Sequence, residues 1–225
     1  MAGRTTGVVA LLGRLVFALG VLFVGWGLDD LSGFFAHPAR AALIGWVLLG
    51  TAWALGWRLD LQIFRKGKRP VGRQRWLLAA LLAIGLFFVW WLPYADRRSL
   101  LTFAGADPLR YVGLGLAVAG DTVALVALRT LGKQYSGYVT LQEEHQLVQT
   151  GIYRVIRHPI YLRGLLTSIG LPLVFRSWLL FTFLAFTLVF VALRIRQEEK
   201  LLAEHFGAAF DAYRQRTWRL LPYLY

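Results

Sequence analysis

The sequence predicts an all-α, polytopic membrane helix bundle of about six transmembrane helices, with a C-terminal helical hairpin and a cytoplasmic C-terminal segment. Three observations predict it. First, 57% of the 225 residues are hydrophobic and only 16% are charged, against about 25% charged in soluble domains; the mean hydropathy is +0.54. Second, the apolar residues gather into runs near the roughly 20 residues needed to cross a bilayer, with charged connectors between them. Third, 25 Lys and Arg against 12 Asp and Glu give a net charge of +13, which on so apolar a chain points to cytoplasmic loops facing anionic lipid and away from nucleic acid. The absence of cysteine excludes disulfides, thiolate metal sites and a cysteine nucleophile, and the 4 scattered histidines predict no metal site.

The first run, Val8 to Leu28, follows a single arginine and lacks a small-residue cleavage pattern, so it reads as a retained span. Arg14 inside it is expected to snorkel to the interface. Spans at Ala41 to Trp57, Trp76 to Leu92 and Tyr111 to Leu131 follow. A longer apolar stretch from Tyr161 to Leu193 breaks at Phe175, Arg176 and Ser177 and predicts a hairpin whose arms, about 15 residues each, rise roughly 23 Å. The 58–75 loop carries Arg58, Arg65, Lys66, Lys68, Arg69, Arg73 and Arg75 against Asp60, whereas the connection after the first run holds Asp29, Asp30 and Arg40. Basic loops stay cytoplasmic, which puts both termini on that side of a multi-pass protein.

The chain reads as a single membrane domain over 1–225, with N-terminal spans in 1–110 and the chemistry expected in 111–225, because polar, aromatic and charged residues mix densely only in the second half. Gly113, Gly115 and Gly120 miss the spacing and strand context of a nucleotide loop and predict close helix packing instead. Asp121 lies at membrane depth, where a carboxylate needs an ionic partner or a wet site; Arg163 and Arg14 are the candidate partners. Pro159 suits the first turn of a helix, which sets Arg157 and His158 at a helix start near the membrane surface. That cluster suits either an interfacial belt or a binding site. In the run from Arg194 to Lys200, continued helix puts Arg194 and Glu198 on one face with Glu199 roughly 100° away. The pair is either a solvated helix extension or a receptor for a cationic ligand. Aromatic residues from Phe206 through Tyr213, Trp218 and Tyr225 suit an interface or an adenine-stacking wall.

The blocks LVQTGIYRVIRHPIYLRG and RIRQEEKLLAEHFGAAFDAYRQRTWRLLP, in this order, resemble the isoprenylcysteine carboxyl methyltransferase and phospholipid methyltransferase superfamily of integral membrane enzymes. The resemblance covers about Arg129 to Pro222, including the lead-in LGKQYSGYVT; members commonly have Gly where Arg163 stands. It implies S-adenosylmethionine bound on the cytoplasmic side under the C-terminal segment, and a lipophilic small-molecule or lipid acceptor entering from the bilayer. Carried across residue by residue, it implies a cofactor site of Gln134, Tyr153, His158, Pro159, Tyr161, Glu198 and Glu199, with Arg157 orienting an anionic substrate and Glu198 available for proton transfer. Acceptors of two kinds fit, the carboxylate of a prenylated thiol compound and the amine of a phospholipid. The alternatives are a membrane reductase of the sterol-reductase type using a nicotinamide cofactor, and a non-catalytic lipid-binding membrane protein.

Overall fold

The computed structural model describes residues 13–56, 72–105, 107–135 and 146–223. The basic loop that sets the orientation and most of the lead-in LGKQYSGYVT lie outside the described residues, as does Tyr225. Among the described residues the chain is helical, with two isolated bridges, Thr102 to Ser177 and Ile156 to Trp218.

Helix α1 (Gly13–Trp26) bends through 84° into the helical stretch Leu28–Phe35, whose last five residues form α2 (Leu31–Phe35). Gly27 turns the corner at φ +105°, a conformation open to glycine and strained for side chains with a Cβ. Arg97 secures the corner by donating to the Trp26 carbonyl at 2.6 Å and to Asp29 at 2.8 Å. Helices α3 (Pro38–Gly56), α4 (Gly72–Arg97) and α5 (Asp107–Leu131) follow. Then come α6 (Pro159–Val174), α7 (Leu180–Phe206) and α8 (Ala208–Gln215). Every expected apolar run thus has a helix. Helices α5 and α7 are long and apolar enough to cross a membrane, the bent α1 pair qualifies jointly, and α3 and α6 contribute shorter apolar helices.

The expected hairpin is present. Its first arm is α6 and its break falls before Leu180; of the two courses open to the chain after Leu193, the second arm takes the continued helix. It runs on to Phe206 as one 27-residue helix, because Arg, Gln, Glu, Lys and Leu after Leu193 are all strong helix formers. Glu198 and Glu199 are therefore held on a rigid helix.

Among the described residues the most extensive helix pair is α5 with α6, and two glycines let their backbones meet. A Cβ on Gly113 would stand 2.5 Å from the Gly170 carbonyl oxygen, and one on Gly120 would stand 3.0 Å from the Leu166 Cβ. Gly115 faces open space and takes no part in the packing. Gly113→Ala is accordingly expected to destabilise the protein by about 1–3 kcal/mol through overpacking, read as a lower melting temperature in detergent. Gly115→Ala, which removes only backbone freedom, should leave it unchanged or slightly raised. Elsewhere Val21, Phe34, Leu92, Val174 and Phe175 bury together between α1, α2, α4 and the end of α6.

Candidate active site

Polar chemistry concentrates where α6 begins and α7 leaves its apolar stretch. The chain arrives through a 3-10 turn (Gly151–Arg154) that buries Tyr153, and His158 caps α6, with Pro159 in its first turn as expected. A segment after α8 returns alongside: Trp218 donates its N–H to the Val155 carbonyl at 2.9 Å, while Arg157 and His158 donate theirs to the carbonyls of Trp218 and Arg219 at 2.8 and 3.0 Å. This clasp ties the C-terminal segment to the start of α6.

The two adjacent carboxylates have different surroundings. The Glu199 side chain is 7% exposed. It accepts from Arg157 Nε at 3.0 Å and from Arg219 Nε and Nη2 at 3.1 and 2.9 Å, and His158 Nε2 lies 3.3 Å away. The Glu198 side chain is 36% exposed, with His158 Nδ1 at 3.8 Å, and its Oε2 accepts the Tyr161 hydroxyl at 2.8 Å. The imidazole of His158 therefore sits between both carboxylates. Glu199 is enclosed by cations; Glu198 keeps an accessible face.

Arg157, expected to meet a substrate, is turned inward. Beyond Glu199, its Nη1 donates to the Arg214 carbonyl at 3.0 Å, to the Thr217 hydroxyl at 3.1 Å and to the Thr217 carbonyl. Tyr213 donates its hydroxyl to the Tyr153 carbonyl at 2.7 Å. Burial pushes the Tyr213 phenol up to about 12 and raises Tyr153 as well, so both hydroxyls stay protonated at neutral pH. Gln134 ends the 3-10 turn after α5 (Gly132–Gln134), and its Oε1 accepts from the Gln146 N–H at 3.4 Å, away from the carboxylates' hydrogen bonds. Of the aromatic C-terminal residues, Phe210 and Tyr213 are buried while Trp218 is exposed.

Asp121 has both partners named from sequence. Arg14 Nη2 donates to its Oδ1 and Oδ2 at 3.1 and 3.0 Å, and Arg163 Nη2 lies 3.4 Å from Oδ1. Arg14 therefore does not snorkel; an internal carboxylate is the nearer counter-charge.

The residues missed from sequence lie at the far end of α6. The Asp96 side chain is 0% exposed and is met by Arg40 at 3.0 Å, Arg110 at 2.9 Å and Arg176 at 3.0 Å. Arg219 and Thr217 of the clasp were missed too. Their partners lie far away along the chain, and only the fold converges them.

Fold and site together describe a polytopic helical bundle of integral-membrane type, with the candidate site where α6 begins beside α7. Residues 113–204 match the model of the isoprenylcysteine carboxyl methyltransferase (ICMT) family, so the family resemblance holds across the segment containing the RHPIY and EE blocks. A probable protein-S-isoprenylcysteine O-methyltransferase of Oryza sativa subsp. indica is 31% identical over 119 residues, 51% of this chain and 61% of that protein. The protein-S-isoprenylcysteine O-methyltransferase of Saccharomyces cerevisiae is 34% identical over 116 residues, 50% of this chain and 48% of that protein. The match thus spans about half to three fifths of these relatives' own length. The solved structure of the eukaryotic intramembrane Ras methyltransferase ICMT superposes with a TM-score of 0.55 at 21% identity, covering 93% of this chain and 75% of that one; this is a likeness of fold.

Proposed function

We propose that this chain is a membrane methyltransferase that uses S-adenosylmethionine to methylate the carboxylate of a prenylated thiol compound drawn from the bilayer. Support comes from the family match over residues 113–204 and from the activities by which the relatives are named. The observation that carries the reading is Glu198, a carboxylate with an accessible face, oriented by Tyr161 and flanked by His158 at the positive end of α6.

These residues fit the cofactor. The accessible Glu198 carboxylate suits its ammonium, the start of α6 suits its carboxylate, and Tyr153 and Tyr161 offer aromatic walls to its adenosine. When bound, S-adenosylmethionine supplies a methyl carbon on a sulfonium, open to in-line displacement. The chain's part is to orient and to exclude water. Tyr161 and His158 fix Glu198. Arg157 is a positioning residue in this reading, acting through Glu199 and the clasp in place of direct substrate contact, and Pro159 starts α6 at the required point. Gln134 stays as an outer candidate at the end of α5. A carboxylate acceptor needs no general base at neutral pH, consistent with the enclosure of Glu199 by cations.

The reading includes six crossings with both termini cytoplasmic, N-terminal spans over 1–110 and a catalytic core over 111–225 within one membrane domain. Calorimetry with S-adenosylhomocysteine tests it. Binding is expected in the parent, weakened about tenfold to a hundredfold in Glu198→Gln through loss of a charge-assisted contact, with the melting temperature of the ligand-free protein unchanged. Parent protein that ignores S-adenosylhomocysteine and binds reduced nicotinamide dinucleotide would be a reductase; one that ignores both would be a lipid-binding protein.

A further inference from the structure

The clasp has an inner and an outer face. On the inner face Ile156, Thr217 and Leu220 are buried, and Arg219 reaches Glu199 at 2.9 Å. On the outer face Val155, Trp218, Leu221 and Tyr223 are 49%, 39%, 40% and 87% exposed. They form one patch: Ile156 and Trp218 pair as a parallel bridge, which sets Val155 beside Trp218, and the Trp218 and Tyr223 rings lie 5.5 Å apart. Exposed Arg154 and Arg216 flank it.

The charge of this face is unbalanced. Arg216 donates to the Gln149 side chain, and neither it nor Arg154 has a salt bridge among the described residues. The nearby carboxylates are taken, Asp211 by Arg214 and Glu199 by Arg157 and Arg219. Position adds a further constraint. Val155 lies four residues, at most about 14 Å of chain, before Pro159, the first residue of an apolar helix, which sets the patch at the margin of the bilayer. Trp and Tyr settle at that margin, and arginine there is drawn to anionic lipid.

We propose that the outer face of the clasp seats on the anionic headgroup layer of the cytoplasmic leaflet, so that membrane charge holds the C-terminal segment against the start of α6. This rests on the orientation proposed above and on no feature of methyl transfer. Seating reaches the site through the backbone: the carbonyls of Trp218 and Arg219 accept the N–H groups of Arg157 and His158, the residues that flank Glu199.

The test is hydrogen–deuterium exchange of the purified full chain, one chain per nanodisc, in phosphatidylcholine alone and in equal parts phosphatidylcholine and phosphatidylserine. At low salt the amides of Arg157, His158 and Trp218, which close the clasp, are expected to exchange about fivefold to thirtyfold more slowly in the mixed discs, the gain from seating one or both arginines. High salt should erase the difference. The double variant Arg154→Gln/Arg216→Gln should exchange like the parent in phosphatidylcholine, show no slowing with phosphatidylserine, and keep the parental melting temperature in detergent. Equal exchange by the parent in both discs overturns the proposal. So does slowing that survives in the double variant, or that spreads evenly over α5, α6 and α7, because the lipid then acts on the whole bundle. Slowing that needs two chains in one disc overturns it by assigning the face to self-association. A C-terminal reporter found outside the cell overturns the orientation and with it the choice of leaflet; nanodiscs expose both faces, so the exchange result still decides whether the clasp reads lipid charge.

Discussion

Asp96→Asn is expected to destabilise the protein by about 3–5 kcal/mol, the cost of removing one member of a buried charge network. The side chain is 0% exposed, and its oxygens accept from Arg40 Nη1 at 3.0 Å, Arg110 Nη1 and Nη2 at 2.9 and 3.0 Å, and Arg176 Nε at 3.0 Å. Arg40 is bound further into the fold: it donates to the carbonyls of Phe34 and Gly33 at 3.0 and 2.7 Å and lies 4.4 Å above the Trp26 ring. Arg110 also donates to the Val174 carbonyl. One carboxylate thus joins the starts of α3 and α5, the end of α4 and the α6–α7 connection. An amide there keeps the shape, loses the charge, and leaves three guanidiniums facing one another. The measurement is thermal unfolding in detergent. Arg176→Gln, which removes the most exposed of the three cations, should cost much less. A melting temperature for Asp96→Asn equal to the parent's would show that the arginines are balanced elsewhere.

Glu199→Gln is expected to cost a similar amount, about 3–5 kcal/mol, with the damage localised. Its carboxylate anchors Arg157 and Arg219 together, and Arg157 in turn donates to the carbonyls of Arg214 and Thr217. Losing that anchor frees the clasp at Trp218 and Arg219 before it loosens the helices. Limited trypsin digestion should therefore cut the variant at Arg214 or Arg216 much faster than the parent, while Glu198→Gln, one residue away, should cut at the parental rate. Equal cutting of Glu199→Gln and parent would reduce the pair to interchangeable surface charge.

These two expectations mark the boundary of what the sequence reveals. Helix positions were legible because apolar runs and their charged interruptions are local patterns: α5 and α6 begin within a few residues of their expected starts, and Pro159 marks the first turn of α6. Asp121 was legible because a carboxylate at membrane depth demands a cation and few were within reach. The different surroundings of Glu198 and Glu199 were only half legible. Helical spacing turns them about 100° apart, but which one faces the clasp depends on Arg157 and Arg219, 42 and 20 residues from Glu199 along the chain. The Asp96 hub left no trace, since its pairs span 14, 56 and 80 residues and each member alone reads as an ordinary helix-end charge.

Helix α6 runs between two carboxylates, His158 at its start beside Glu199 of α7 and Arg176 just past its end on Asp96 of α4. Its 16 residues make a rod of about 24 Å pinned at both tips. A slide of one residue, about 1.5 Å, would disturb the contacts at both ends at once. Piston motion of α6 therefore works against both tips, and rotation about its axis works against the glycine seam with α5. A passage for a molecule between bilayer and bundle is therefore expected to open sideways, by helices swinging away from this strut.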